Sequence, residues 1–592
     1  MSQVPMRIFV AMLAILFAHA VPAHPGDPVA QPRVRGKATV LVQGLGHHSH
    51  SVSTTNVLAQ RFFDQGLAYV YAFNHQEALH SFRRATILDP RLAMAHWGIA
   101  LATGPNYNSA ELDATRAGEA RVALGRAHAL ASVASESEQA YIAALTLRFA
   151  EPLEPDPARA AQDYRDAMRA LMLRYPEDPD AATLFADAAM QLRPWRLWNS
   201  DGTPAAGTEE VISVLEATLA RSPEHIGANH FYIHAIEASP HPERALPSAE
   251  RLPRLAPAAG HLVHMAAHIY DRIGDHAGSA RANALAIAAD RAYLRSAGPN
   301  PYQGYYAHNL NFLAVAQTMQ GRYRDAIGAA RQFARHIAST LPEIPGVEGY
   351  LPAVALINVR FQRWDEILKL PRPPKAFAGP LAVWHFARGA AFAARGRIDR
   401  AEAERLGFAQ AMFGMSDGEA WGRNRAVDVL AIARAMCDGY IASASGDDVA
   451  AIRHFTAAAA AEDALAYDEP APWTVPPREA LGAALLVAGD VASAEQVFVA
   501  ELSRRPRSGR ALFGLAAALK AQGKPAGAVE EQFASAWKNA DTEPGLGRAR
   551  RSSRGALNPQ AVPATPTGRR AAGRSPRATA RWWRANGPRR SA

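Results

Sequence analysis

One stretch of the chain decides the fold: residues 66–90, GLAYVYAFNHQEALHSFRRATILDP. Small residues at fixed spacing let two antiparallel helices approach closely, and larger residues fill the seam between them. The residues that carry this pattern are Gly66, Tyr69, Ala78, Phe82, Ala85 and Pro90. The stretch therefore predicts a pair of antiparallel helices.

The same pattern returns along the chain as Gly389, Phe392, Gly396 and Ala401, as Gly439, Gly446, Ala451 and Phe455, and as Gly482, Gly489, Ala494 and Pro506. It resembles the tetratricopeptide repeat, and with weaker copies it predicts twelve helix pairs. These lie near 59–88, 92–130, 138–175, 180–222, 226–255, 259–292, 306–338, 347–372, 382–408, 425–460, 477–504 and 509–538. Because one pair cannot bury its apolar face alone, the pairs should stack into an all-α solenoid.

Two segments interrupt the repeat. Residues 193–204 combine two tryptophans with turn residues, which indicates a loop folded over the array. Residues 468–477 are rich in proline, as in an extended connector, and Trp473 should dock on the helices.

The ends of the chain predict export and a basic tail. Residues 1–23 have the charged start, short apolar run and small-residue cleavage sites of a secretory signal peptide. We expect a flexible arm over 24–55, the solenoid over 56–541 and a disordered arginine-rich tail over 542–592. A periplasmic or secreted location follows, and no later segment is apolar for long enough to span a membrane. Cys437 is the only cysteine, so no internal disulfide stabilises the chain.

The charge distribution excludes a nucleic-acid partner. The chain carries +9 overall, but residues 543–592 hold 12 arginines and a single acidic residue. The rest of the chain is therefore slightly acidic and has no basic footprint for DNA or RNA.

Histidines are concentrated in three successive repeats. His230, His234 and Glu237 share one face of a helix because they are spaced by four and three residues. The next repeat places His261, His264 and His268 on one face in the same way, and a third offers His308 and Asn311. The resemblance to the tetratricopeptide repeat implies that these faces line the concave groove, so three adjacent helices should direct imidazoles into one space.

Converging imidazoles and a carboxylate on a rigid helical scaffold are suitable ligands for zinc, copper or iron. The candidate ligands are His230, His234, Glu237, His261, His264, His268 and His308. They exceed the needs of one closed site, so either two ions bind or some histidines orient the others. If a metal binds, opposing ring nitrogens should lie within about 3–4 Å of each other.

Two other interpretations of this histidine-rich face remain open, a polar groove for a peptide or anion and a core stabilised by histidine hydrogen bonds. His47, His48 and His50 are expected to be solvated in the arm. Known catalytic motifs are missing, including the glutamate of the H-E-x-x-H helix. The sequence therefore does not decide whether the protein is an enzyme; if it is, Glu237 is the candidate general base and Tyr305 or Tyr306 a proton donor.

The stretches GANHFYIHAIEAS at 227–239 and HLVHM at 261–265 resemble bacterial tetratricopeptide proteins of unassigned activity, exported ones among them. Such proteins often carry Pro-Ser where this chain has Ala266 and Ala267, and histidine where it has Asn311. The second difference removes a donor and weakens any site that depends on the third helix.

The function expected from the sequence is an exported solenoid that binds a metal, or depends on one, at its histidine cluster. The alternative is a non-catalytic scaffold that grips a peptide or protein partner in the groove. Carboxylate clamps of lysine, arginine and asparagine are typical of peptide-binding tetratricopeptide grooves, whereas this stretch offers histidines and acids.

Overall fold

The computed structural model describes residues 39–150, 157–298, 300, 302–340, 351–416 and 418–546. Within these residues 24 α-helices follow one another, and a small antiparallel hairpin joins strands β1 (Ala420–Trp421) and β2 (Asn424–Arg425). Short 3-10 turns lie at Ala131–Val133 and Pro242–Ala245. The prediction of an all-α solenoid is confirmed.

The helices of the first half, in chain order, are α1 (Val57–Tyr71), α2 (His75–Leu88), α3 (Ala93–Thr103), α4 (Ala114–Ala129), α5 (Glu136–Arg148), α6 (Pro157–Arg174), α7 (Pro179–Met190), α8 (Thr208–Arg221), α9 (Ile226–Ile236), α10 (Leu246–Leu255), α11 (Gly260–Arg272) and α12 (His276–Ala297). Those of the second half are α13 (Gln303–Met319), α14 (Tyr323–Thr340), α15 (Ala353–Arg360), α16 (Trp364–Leu368), α17 (Ala378–Ala394), α18 (Ile398–Phe413), α19 (Ala426–Ser445), α20 (Asp448–Asp463), α21 (Pro477–Ala488), α22 (Val491–Arg504), α23 (Gly509–Ala521) and α24 (Gly527–Ala536). Each odd-numbered helix packs against the helix that follows it. The predicted pairs therefore match the observed ones and differ most at 347–372, where α15 and α16 span 353–368.

The packing inside the pairs is the one that the tetratricopeptide pattern predicts. The Phe82 ring lies between α1 and α3, and a Cβ added at Gly66 or Gly98 would come within 2.6 or 2.5 Å of it. Phe498 lies in the same way between Gly482 and Gly514, at 2.4 and 2.3 Å. Glycine is required at these positions because any side chain would overlap the ring.

The superhelix is wound tightly enough for distant repeats to touch. Gly274, at the turn between α11 and α12, lies against the backbone of Pro506, to which an added Cβ would be 2.4 Å away. The carboxylate of Asp541 accepts the backbone N–H groups of Tyr323 and Arg324 (2.7 and 3.0 Å) and so satisfies free donors at the start of α14. The last repeats are thereby fastened to the middle of the chain.

The part of the predicted arm that the structure describes, residues 39–55, packs along the solenoid. The backbone N–H of Val42 donates to Gln65, and that of Ser53 donates to Glu138 (2.7 and 2.6 Å). The carbonyl of Gly44 accepts from the N–H of Ala258 (2.8 Å). The prediction of a flexible arm does not describe this segment, because backbone hydrogen bonds hold it at three places. Its remaining part, 24–38, lies outside the described residues.

Both predicted interruptions cover the array. Trp473 in the proline-rich segment is fully buried and packs on Phe386, with ring centroids 5.3 Å apart, so its predicted docking is confirmed. In the loop at 193–204, Trp195 stacks on Tyr107 (5.5 Å) and the indole N–H of Trp198 donates to the carbonyl of Ala235 (2.8 Å). Both segments therefore lie over the helices as the sequence indicates.

The signal peptide predicted at 1–23 and most of the predicted tail lie outside the described residues. The tail begins in an ordered way, since the hydroxyl of Thr542 donates to the carbonyl of Gly321 (2.9 Å). This contact corrects the predicted onset of disorder at residue 542. Among the helices of the described part, none combines the length and apolarity that crossing a membrane requires.

Candidate metal centre

Six histidines from three helices meet in one buried space. They form the facing-histidine cluster: His230 and His234 on α9, His261, His264 and His268 on α11, and His308 on α13. The first five are at most 2 % exposed. The structure thus brings together every histidine that the sequence predicts as a ligand, and the third helix contributes despite Asn311.

The sequence predicts these residues on the concave groove, and in the structure other parts of the chain cover them. Phe73 from the first repeat stacks on the rings of His234 and His261, with centroids 5.9 and 5.5 Å apart. Tyr107 and Trp195 lie against His234 at 5.1 and 5.6 Å. The tight winding of the superhelix turns a concave face into an interior.

One half of the cluster is the first triad, His230, His234 and His261. One ring nitrogen from each residue lies within 4.8 Å of the other two. The Nε2 atoms of His230 and His261 are 3.1 Å apart. Nε2 of His234 is buried without a hydrogen-bond partner. Three ring nitrogens therefore surround one small volume.

The other half is the second triad, His264, His268 and His308. Nε2 of His264 lies 2.7 Å from Nε2 of His268 and 3.0 Å from Nε2 of His308. An imidazole nitrogen has a single lone pair, so it cannot accept two full hydrogen bonds from two rings. A cation between the three nitrogens would satisfy all of them at once.

The opposite sides of four rings contact oxygen acceptors. Nδ1 of His230 donates to the carbonyl of Tyr71 (2.7 Å), and Nδ1 of His264 donates to the side-chain oxygen of Asn283 (2.8 Å). Nδ1 of His234 and of His268 donate to Glu237 (3.0 and 2.6 Å). Because these acceptors assign the proton to Nδ1, a neutral ring presents its Nε2 lone pair to the cluster. This support of ring orientation is typical of metal-binding histidines.

Glu237 joins the two triads. Its Oε1 accepts from His234 in the first triad, and its Oε2 accepts from His268 in the second. Burial raises the pKa of Glu237, and the charge and hydrogen bond of His268 oppose the rise. Glu237 is therefore an acceptor that orients two rings, which differs from the free general base that the sequence suggested. One oxygen of Glu237 also lies within 4.8 Å of ligand atoms of His268 and Glu469, so its role as a metal ligand stays a prediction.

The two tyrosines proposed as proton donors are placed differently. The ring of Tyr305 packs on His261, with centroids 4.4 Å apart, so this residue borders the first triad. The hydroxyl of Tyr306 instead accepts from Arg291 and Gln332 (3.1 and 2.8 Å). Of the two proposed proton donors, only Tyr305 lies beside the cluster. Asn311, the third-helix residue beyond His308, lines a separate pocket with Trp421 and Pro472.

Sequence reasoning missed Glu469, which the proline-rich segment brings to Nδ1 of His268. Burial raises the pKa of Glu469 to about 7, an effect that the charge of Glu237 strengthens. Burial lowers the pKa of His268, but the charges of Glu469 and Glu237 outweigh it and raise that pKa to about 10. No periodicity in the sequence marks Glu469, because it lies in a connector and not on a repeat face.

The remaining five rings are held neutral. Burial, and then the charge of neighbouring imidazoles, lowers the pKa of His230, His234, His261 and His264 well below the usual value, and that of His308 to about 3. Neutral imidazole is the form that binds metals. A tetrahedral ion with bonds of 2.0–2.1 Å separates neighbouring nitrogens by about 3.3 Å. The observed Nε2–Nε2 separations of 2.7–3.1 Å lie within the predicted limit of about 3–4 Å. Binding of an ion would move these rings slightly apart.

A second histidine-rich group, the Asp180 cluster, consists of Asp180, Tyr71, His48, His50 and His225. Nε2 of His48 and Nε2 of His225 lie 3.0 and 3.1 Å from Oδ1 of the carboxylate, and Nδ1 of His50 lies 2.9 Å from Oδ2. The Tyr71 hydroxyl also donates to Oδ1. The expectation that His48 and His50 are solvated is wrong, since their side chains are 7 % and 15 % exposed.

Hydrogen bonds from His50, His225 and Tyr71 hold the Asp180 carboxylate, and His48 lies beside it. Nδ1 of His225 accepts the backbone N–H of Ala228 (3.1 Å), so its proton is on Nε2 and points at Asp180. Burial raises the pKa of Asp180, but the charge of His48 and the hydrogen bonds of His225, His48 and His50 lower it well below the usual value. The group is a buried anion surrounded by donors, and it fastens residues 39–55 to α7 and α9.

Comparisons with known proteins concern the fold alone. No protein-family model matches the sequence, and a search of curated proteins finds no match either. Among solved structures, a human IFIT1 dimer with m7Gppp-AAAA is 14 % identical at a TM-score of 0.32, over 76 % of this chain and 90 % of that one. Yeast Tom70 is 8 % identical at 0.27, over 81 % and 90 %, and the P58(IPK) TPR domain is 11 % identical at 0.21, over 78 % and 98 %. At these values none of them bears on the site or its ligand.

Proposed function

We propose that this protein binds transition-metal ions at the facing-histidine cluster. The observation that carries the proposal is the second triad, in which the single Nε2 lone pair of His264 faces two further imidazole nitrogens. A metal ion between the three nitrogens would bind all of them at once and would displace the Nε2 proton of His268.

The donors define the class of ion. Neutral imidazole suits zinc, copper and iron, whereas magnesium, calcium and manganese prefer oxygen ligands. Glu237 and Glu469, the carboxylates of the cluster, both contact Nδ1 of His268 and lie behind the ring. The helical repeats fix the three helices relative to one another, which keeps the nitrogens converged in the absence of an ion.

Burial of the cluster supports this function over the alternative of a scaffold that grips a peptide. A peptide would need the concave face at α9, α11 and α13, where the described residues leave the histidines at most 2 % exposed on α9 and α11. A small ion needs no such open surface.

The test is elemental analysis of the untagged protein purified from its own compartment. We expect stoichiometric zinc, copper or iron, and its loss in the His234→Ala/His264→Ala double variant. The matched control is His385→Ala, which removes a histidine bound to Glu404 on α18 (2.7 Å) and should leave the metal content unchanged. Metal-free wild-type protein that also binds none of the three ions on addition would refute the proposal.

Export completes the proposed function. The signal-peptide features of residues 1–23 support a periplasmic or secreted protein that meets its metal outside the cytoplasm. N-terminal sequencing of the protein from periplasm and culture medium should find a start after residue 20 or 23. A cytoplasmic protein with an intact N-terminus would contradict export and leave the metal proposal in place.

A further inference from the structure

We infer that the cluster is a two-ion copper centre, with one copper in each triad. The inference rests on the proposed function and adds the number and identity of the ions. The six histidines divide into two sets of three, and each set gathers one nitrogen per residue within 4.8 Å. Each set is therefore complete as a three-imidazole site.

The two triads are neighbours with separate centres. The sets share no histidine: one nitrogen each of His230, His234 and His261 lies within 4.8 Å of the others, and the same holds for His264, His268 and His308. The close Nε2 contacts join His230 to His261 and join His264 to His268 and His308. One ion cannot bind all six nitrogens at bond lengths of about 2.0–2.1 Å, so full use of the histidines requires two ions.

Glu237 makes the two sites a single unit. Its two oxygens accept one Nδ1 proton from each triad, so it sets the orientation of His234 and His268 together. Its oxygens lie on the Nδ1 side of the two rings, so the atoms that face the centre of each triad are imidazole nitrogens.

The ligand set favours copper. Copper stands highest in the affinity order of the divalent ions for nitrogen sites of a given geometry. Non-haem iron sites of the facial type add a carboxylate ligand, which neither triad supplies.

The experiment is a titration of the metal-free full-length protein with Cu²⁺ against a colorimetric copper chelator. We expect two copper ions per chain in the wild type and one in each of His261→Gln and His308→Gln, which remove a ligand from the first and second triad. The control His385→Gln should retain two. X-ray absorption at the copper edge should show about three imidazole nitrogens per ion.

The outcomes separate this inference from the proposed function. A wild-type count of one, lost in both variants, would overturn the two-ion centre and leave metal binding in place. A count of two for zinc that stoichiometric copper does not displace would overturn the identity of the ion. No binding of any ion would overturn the proposed function as well. The wild-type count decides between one and two ions even if a variant fails to fold.

Discussion

Two histidine clusters lie side by side in this protein, and they differ in what their ring nitrogens face. In the Asp180 cluster three imidazoles and a tyrosine point at one carboxylate. In the facing-histidine cluster the carboxylate and carbonyl acceptors are behind the rings, and the Nε2 atoms point at one another. In the first arrangement the rings face a charged acceptor, while in the second they face other ring nitrogens. Proximity of histidines is therefore a weaker indication of a metal site than the partner of the second ring nitrogen.

The largest expected effect is the loss of stability in Asp180→Asn. Its buried imidazoles would lose their charged acceptor, which should destabilise the N-terminal repeats by about 3–5 kcal/mol. Hydrogen exchange of the amides of α7 and α9 measures this loss. Asp271→Asn is the control, because Asp271 pairs with His276 (3.0 Å) but is 30 % exposed, and it should cost less than about 1 kcal/mol. If the Asp180→Asn variant were as stable as the wild type but bound no metal, the roles given to the two clusters would be reversed.

Metal should stabilise one cluster and not the other. With free ion at about 100 times its dissociation constant, the metal-bound protein gains about 2.7 kcal/mol. The gain should be seen as slower hydrogen exchange in α9, α11 and α13, and it should be absent from the His234→Ala/His264→Ala variant. If metal instead slowed the hydrogen exchange of residues 39–55 and α7 in that variant by the same amount, the ion would bind at Asp180.

A smaller effect is expected from Glu237→Gln. The amide keeps one acceptor oxygen, so only one of His234 and His268 remains correctly oriented, and metal affinity should fall about 10–100-fold. Competition against a chelator of known affinity measures the change. Glu243→Gln is the matched control, since Glu243 contacts His241 (3.1 Å) on the surface. The metal affinity of this variant should equal that of the wild type. An unchanged affinity in Glu237→Gln would show that the carboxylate does not support the ligands.

The smallest effect concerns pH and the segment 39–55. Burial lowers the pKa of His48 and His50, but the charge and hydrogen bonds of Asp180 outweigh it, and both values are raised above 6.5. A raised histidine pKa stabilises the fold fully below the unfolded value of 6.5 and loses its contribution as pH rises through the folded value. The depressed pKa of Asp180 contributes above 3.8 and is lost only as pH falls below that value. The segment should be held most firmly between about pH 4 and 6.5 and should loosen in alkali.

Hydrogen exchange of a peptide covering residues 39–55 at pH 6 and pH 9, corrected for the intrinsic exchange rate, measures this loosening. Asp180→Asn should remove the pH dependence, because the two histidines then lose the charge that raises their pKa. A segment equally protected at both values in the wild type would show that its backbone bonds to Gln65 and Glu138 are sufficient.

The sequence predicted the helix pairs and the meeting of the histidines for the same reason. Helical spacing and small residues such as Gly66 and Ala78 fix the register of each pair, and the register decides which faces converge. His230 and His264 could therefore be placed in one space without a structure. Their burial could not be predicted, because it depends on how tightly the whole superhelix winds.

The partners of the rings were beyond sequence reasoning. Glu469 reaches His268 from a proline-rich connector, and the acceptor of His230 is a backbone carbonyl at Tyr71, which no residue type encodes. His48 meets Asp180 because residues 39–55 run along the solenoid. His48 lies outside the repeats, so the periodicity of the repeats does not predict this contact. Contacts within a repeat follow from periodicity, whereas contacts across turns of the superhelix follow from its overall curvature.

The covering of the cluster by Phe73, Trp195 and the segment that carries Glu469 sets a residence time for any ion inside. An ion can leave only when one of these elements opens, so its release is a first-order process whose half-life is that of the opening. Added chelator should then accelerate release up to a plateau and no further. The protein would retain its ion through brief encounters with stronger competitors, and exchange would become a question of local motion and not of affinity.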